Sequence, residues 1–259
     1  MKRSRLSASL RPLYLKCGLN GQSPGSAYIE LGATKVVATV YGPRENTRAE
    51  GETVSSGVLE CYVKLAPFSS RIRGNFPGET LERELQLGAA LHASLLPSVL
   101  LERFPKSVVE VHLLVLEAGG GELAVGITAA SAALVDAGVD LAGVVTAAQV
   151  GFESGGEVIV DPTSAEELDC TGLTTVAYMP SLERITFSSH SGTVAAPDLL
   201  KALALALGAC AGMSASLRPV LLDSVNTRLA SPLERAGDLV EEGRQTASEN
   251  VKHTEAISV

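Results

Sequence analysis

The sequence predicts one α+β domain, with mixed sheets and helices packed on them. Short β-prone runs recur in both halves of the chain, helical segments interrupt them in each half, and no boundary divides residues 1–225. The 259 residues are enough to bury a sizeable core. With 46% hydrophobic and 19% charged residues the composition is globular, free of low-complexity bias.

"SAYIELGATKVVATVYG" reads as a hairpin turning at Gly32-Ala33 and closed by Gly42-Pro43. Residues 44–57 are polar and read as an exposed loop. "VLECYVKLAPF" alternates as a strand does, and "SSRIRGNFPG" comes next as a loop with two arginines. "ETLERELQLGAALHASLLPSVLLERF" is helical, with Leu81, Leu85, Ala89 and His92 near one face and a break expected at Pro97. "SVVEVHLLVLEA" turns from alternating to fully apolar, as a buried strand would. "AVGITAASAALVDAG" is a small-residue helix stopped at Gly138. The rhythm then repeats: "GVVTAAQVGFE" and "GEVIVDPT" as strands, a hairpin turning at Pro180-Ser181, and a long helix in "APDLLKALALALGACAGMSASLRPVLLDSV". From Asn226 the apolar periodicity fades, so residues 226–259 are expected to be a flexible tail.

The formal net charge of -8 argues against a protein that coats nucleic acid with its whole surface, and leaves room for a local basic patch. Cys17, Cys61, Cys170 and Cys210 lie far apart without metal-binding spacing and read as reduced, mostly buried thiols of an intracellular protein. The basic N-terminus lacks the apolar run of a secretory signal. "LLKALALALGACAGMSASL" comes nearest to a membrane span, but its Gly, Ser and Lys suit a buried helix better, so no membrane partner is expected.

Four features bear on chemistry. "LEAGGGELAVGITAAS" sets Gly119, Gly120 and Gly121 between a strand and a helix, where backbone N–H groups can face an anion. Glu122 stands where a bound phosphate would be repelled, and its charge suits an empty helix N-terminus. In "DPTSAEELD", Asp161, Glu166, Glu167 and Asp169 are either a Mg²⁺ site or an acidic turn; the turn is the better reading. His92 and His112 have no neighbouring Ser/Asp or Cys partner that would make a triad. Lys64, Arg71 and Arg73 form a short basic stretch that is either a phosphate-backbone contact or ordinary solvated charge, with Phe68 placed to pack or stack. The residues alone yield no convincing catalytic set.

Three collinear stretches change that reading: "RPLYLKCGLNGQSPGSAYIELGATKVVATVYGPRE", "LEAGGGELAVGITAASAALVDAG" and "VIVDPTSAEELDCTGLTTVAYMP". They resemble the RNase PH family over residues 8–222. The resemblance implies a fold of two pseudo-repeated β-α units and a six-membered ring around an RNA channel. Active members cleave RNA from its 3′ end with phosphate, holding two anions with arginines and offsetting charge with Mg²⁺. Matched to their motifs, the Thr and Arg of a phosphate clamp fall at Glu122 and Leu123, a second phosphate-binding Arg at His92, and two metal-binding aspartates at Glu167 and Leu173.

The resulting expectation is a non-catalytic ring subunit of the RNA exosome, with no cofactor and no metal. Its partners would be other RNase PH-like subunits, cap proteins and RNA. Arg71 and Arg73 are the expected RNA contacts, and nucleus, nucleolus and cytoplasm the expected places of work. The alternatives are an active phosphate-dependent 3′–5′ exoribonuclease, which would need Glu122, Glu167 and Asp169 to do metal work, and a small-molecule kinase, for which the glycine loop lacks a lysine or serine.

Overall fold

The computed structural model describes residues 9–45, 56–69, 77–153 and 157–229. The contacts divide the chain after Leu221, and the first of the two units carries both sheets. Among the described residues, nine strands form those sheets. The first holds β1 (Leu13–Cys17), β2 (Gly25–Leu31), β3 (Thr34–Glu45), β4 (Val58–Leu65) and β5 (Ser107–Glu117), in the order β1-β2-β3-β5-β4. It is mixed, because β4 runs parallel to β5 while the other pairs are antiparallel. The second holds β6 (Thr146–Glu153), β7 (Val158–Val160), β8 (Cys170–Met179) and β9 (Arg184–Gly192), in the order β7-β6-β8-β9, antiparallel throughout.

Helix α2 (Glu122–Asp136) lies between the sheets and organises the core. Its alanines and glycine let both sheets approach, and 12 of its 15 residues are buried. Ile127 and Leu134 are fully enclosed, each worth roughly 1.5–3 kcal/mol by area removed from water. The helix is also bonded to both sides. Asp136 accepts the Ser26 N–H at 2.9 Å, while Thr128 and Ser131 accept the Ala147 and Val145 N–H groups at 3.1 and 2.9 Å.

Helix α1 (Pro77–Leu95) ends before Pro97, as expected, and a 3₁₀ turn comes after it at Leu101–Arg103. It covers the edge strand β4. Glu84 accepts the Leu65 N–H at 3.0 Å and the Lys64 ammonium at 2.7 Å, and Gly88 brings the helix against the Cys61 carbonyl. Glu84 thereby answers one backbone N–H at the end of this edge strand. The face carrying Leu81, Leu85 and Ala89 points outward; Glu84, Leu91 and Leu95 are the buried positions.

Three differences from the sequence reading have physical causes. β3 runs on through Gly42-Pro43 to Glu45, with a register shift against β5 absorbing the proline. The acidic turn contains a short helix, α3 (Ser164–Asp169), held by a capping box in which Thr163 and Glu166 serve each other's backbone N–H groups. The long helix α4 (Ala196–Leu229) is buried on one side only. Ala202, Ala206, Cys210 and Met213 face the second sheet, and Leu200 is 68% exposed. By length and hydropathy α4 could cross a bilayer, and 22% of its most apolar window is buried.

Candidate functional site

The glycine loop sits where strand β5 ends and α2 begins. Gly121 is the N-cap of α2, with a left-handed φ of 67° and no side-chain cap of its own. Its N–H is taken by the Glu167 carboxylate at 2.8 Å. An internal carboxylate from the segment after β7 therefore occupies the position an external anion would need. Burial pushes the Glu167 carboxyl above its ordinary range; the Gly121 N–H and Gln149 pull it down, the Glu122 charge pushes it further up, and the net shift is upward.

Glu122 begins the helix and pairs with Arg83 of α1 at 2.7 Å. Arg83 is thus the α1 side chain bonded to the start of α2. His92, placed there by the family motif, lies nine residues further along, about 13.5 Å of helix at 1.5 Å per residue, and lines a groove between α1 and β4. Leu123 packs on the core, and Leu173 is half-buried on β8, opposite Gly151 of β6.

The loop is fixed from below by Arg11, a residue that sequence reasoning misses. Its guanidinium is buried and fully engaged. Nε and Nη2 reach the two oxygens of Asp161 at 2.7 and 2.5 Å, Nη1 reaches the Gly119 carbonyl at 3.0 Å, and Nη2 the Gly120 carbonyl at 3.0 Å. The Arg11 N–H also donates to Asp161, and Thr34 donates to the Gly120 carbonyl at 2.6 Å. Asp161 has a left-handed φ of 54°, a conformation that aspartate tolerates better than most residues. Only Arg offers a planar fork able to bind a carboxylate and two carbonyls at once. No local pattern could reveal it, since the carboxylate and the two carbonyls it binds lie 108–150 residues away.

The four acidic residues of "DPTSAEELD" are dispersed. Asp161 serves Arg11, Glu166 caps α3, Glu167 serves Gly121, and Asp169 is exposed. Among the described residues no three His, Cys, Asp or Glu side chains gather as a metal would require. Asp161, Glu166 and Glu167 are each committed to hydrogen bonds within the chain, and Leu173 offers no ligand atom where the family motif places an aspartate. The four cysteines are free; Cys210 is buried and the others half-buried, with burial pushing the Cys61 and Cys210 thiols up to about 12. His112 stacks on Tyr62 with centroids 5.1 Å apart and stands 3.5 Å from Glu110, away from any nucleophile.

Arg71 and Arg73 fall outside the described residues. The base of their loop is described. The Ser69 carbonyl accepts the Ala118 N–H at 2.9 Å, one residue before the glycine loop. Beside it a cleft of about 760 Å³ is bordered by Phe68, Lys35, Glu117 and Leu168.

The helix-filled two-sheet fold, with a glycine loop at the start of its central helix, is matched by the 3′ exoribonuclease family. The 3′ exoribonuclease family's domain 1 matches residues 9–140 and its domain 2 residues 140–209. This chain belongs to that family. It is 40% identical over 196 residues to the exosome complex component MTR3 of Homo sapiens, covering 71% of each chain. It is 34% identical over 203 residues to the exosome complex component Rrp41 of Pyrococcus furiosus, covering 78% of this chain and 80% of that one. Among solved structures, rice Rrp46 superposes with a TM-score of 0.71 at 29% identity, over 84% of this chain and 98% of the other. An Archaeoglobus fulgidus exosome with RNA bound to the active site shares the fold, with a TM-score of 0.72 at 19% identity, over 82% of this chain and 91% of that one.

Proposed function

We propose that this chain is a non-catalytic subunit of the RNA exosome ring. It scaffolds the ring with other RNase PH-like subunits, carries cap proteins, and helps guide RNA toward 3′–5′ processing and degradation in the nucleus, nucleolus and cytoplasm. The observation that carries this reading is Glu167 bonded to the Gly121 N–H. Two anions must meet for phosphate to attack a phosphodiester, and here a carboxylate already sits at the loop meant for one of them. Glu122 adds a second negative charge and neutralises Arg83, the cation that α1 brings to the start of α2. Losing one oxyanion contact costs about 10²–10³ in rate, and in this site charge repulsion adds to that loss.

The purified chain is expected to release no nucleoside diphosphate from 3′-labelled RNA with inorganic phosphate and Mg²⁺. Phosphate-dependent release would instead make it an active exoribonuclease. Arg71 and Arg73 are proposed to touch RNA phosphates, since Ser69, two residues before Arg71 in sequence, bonds Ala118 beside the glycine loop. Arg71→Ala/Arg73→Ala should weaken RNA binding by the assembled ring and flatten its salt dependence by up to about one counterion per lost contact. Unchanged crosslinking and affinity would remove them from the RNA path.

A further inference from the structure

We infer that Asn20 is a site of spontaneous covalent modification. Its side-chain amide is lost as ammonia through attack by the Gly21 backbone nitrogen, leaving aspartate or isoaspartate at position 20. The inference does not depend on the ring reading. Asn20-Gly21 is the one Asn-Gly pair in the sequence, and it lies exposed in the turn between β1 and β2. In hairpins such a pair ordinarily serves a type I′ turn, which needs positive φ at both central residues. Neither residue has it here. A Cβ on Gly21 would meet nothing within 4 Å. The fold therefore asks neither left-handed backbone nor empty space of Gly21, and its missing side chain leaves an unshielded nitrogen.

The turn also prepares the reaction. The Asn20 carbonyl accepts the Ser23 N–H at 3.3 Å and the Ser23 hydroxyl at 3.1 Å, and the Asn20 N–H donates to Ser26 Oγ at 2.9 Å. These bonds hold the main chain of residue 20. Its side chain folds back along the peptides that follow, with Oδ1 accepting the Gln22 N–H at 3.1 Å in an Asx-turn. Cγ and the Gly21 nitrogen are both members of the ring this bond closes. Among the described residues no acceptor takes the Gly21 N–H. A base in the solvent removes that proton, and the nitrogen's electron pair forms a bond to Cγ. Negative charge develops on Oδ1, where the Gln22 N–H already points. The Cγ–Nδ2 bond then breaks, and the departing nitrogen takes a proton from solvent and leaves as ammonia. The product is a cyclic imide, which water opens at either carbonyl. One opening gives aspartate. The other gives isoaspartate, in which the chain runs through Cγ and the carbonyl that Ser23 holds becomes a free carboxylate. Nothing is oxidised or reduced. Ser26 donates its own N–H to Asp136 of α2 at 2.9 Å, so the altered turn adjoins a bond to the central helix.

The test incubates the full chain in mildly alkaline buffer made with heavy-oxygen water, then maps its peptides by mass spectrometry. The peptide with position 20 should exchange its amide nitrogen for a heavy oxygen ahead of the peptides with Asn46, Asn75, Asn226 and Asn250. Part of it should accept a methyl group from isoaspartyl methyltransferase. Gly21→Ala, which the open space around Gly21 admits, should slow the uptake severalfold or more without lowering the melting temperature. No heavy oxygen at position 20 of the native chain overturns the proposal. So does equal uptake in Gly21→Ala, or uptake confined to urea-unfolded protein. If Gly21→Ala does not fold, the map of the native chain decides.

Discussion

At the α1–β4 edge, Glu84 accepts the Leu65 N–H at 3.0 Å; at the glycine loop, Glu167 accepts the Gly121 N–H at 2.8 Å. The two bonds are alike, and the regions differ in what surrounds them. Glu84 has the Lys64 ammonium at 2.7 Å. Burial pushes its carboxyl up, but the Lys64 and Leu65 contacts more than offset that, and the net shift is downward. Glu167 has another carboxylate nearby, Glu122, and its net shift is upward. One carboxylate is clasped by a cation at the solvent edge, and the other is half-buried beside a second carboxylate. The hydrogen bond alone does not fix the energetics of a carboxylate; burial first, and then its charged neighbours, decide the direction.

The largest way to break this comparison is at the base of each region. Arg11 and Asp161 side chains are 5% and 4% exposed, whereas Lys64 is 67% exposed. Arg11→Ala removes the guanidinium that pairs with the buried Asp161, so it should cost about 3–5 kcal/mol. Lys64→Ala should cost about 0–1 kcal/mol. Equilibrium urea unfolding of both variants measures the gap, and equal costs would show that the Arg11 network is slack.

Glycine substitutions give the next effect. A Cβ on Gly120, whose φ is 102°, would lie 2.6 Å from the Ser164 nitrogen and 2.7 Å from the Pro162 carbonyl. Gly120→Ala should cost about 1–3 kcal/mol from overpacking and backbone strain. A Cβ on Gly88 would meet only the Cys61 carbonyl, at 3.4 Å. Gly88→Ala should be neutral or stabilising by up to about 1 kcal/mol, since alanine favours the helix. Thermal melts separate the two, and a costly Gly88→Ala would mean that α1 cannot move even a few tenths of an ångström.

The smallest effect lies in pH. Glu84, with a lowered pKa, contributes stability that is present above the unfolded value of about 4.3 and lost as pH falls through its folded value. Glu167, with a raised pKa, acts oppositely. Between about 4.3 and its raised value the native state binds the extra proton, so stability falls as pH rises through that window. Glu84→Gln should therefore lose stability at pH 7 and flatten the acid limb. Glu167→Gln, whose amide oxygen can still accept from Gly121, should gain stability at pH 7 and remove the decline just above about pH 4.3. Denaturation series across the acid to neutral range test both signs, and parallel curves for the two variants would sink the comparison.

Much of the fold is legible because it is written locally. The Gly32-Ala33 turn, the break before Pro97 and the stop at Gly138 follow from short-range backbone preferences, and the structure has a turn, a helix end and a helix stop there. Strand β1 is not legible, because five residues, "LYLKC", carry too little periodicity. Helix α3 carries its own signal, Thr163 three residues before Glu166, hidden by the proline and the acidic run. The stripe at Leu81 and Leu85 is visible as a stripe, but sequence cannot say whether a stripe faces inward or outward. At the site, the repulsive charge of Glu122 is readable from its position. The roles of Arg11 and Glu167 are not, because each depends on a partner brought close only by the whole fold.

The reach of Arg11 also bears on synthesis. A ribosome releases residue 11 long before residue 161, the partner it needs. Until β7 and the turn after it emerge, that guanidinium lacks its carboxylate and has only Thr34 and the loop carbonyls as partners. The segment matching the family's first domain ends at residue 140, before that partner exists. The segments matched by the family's two domains are therefore joined by one buried ion pair, Arg11 with Asp161.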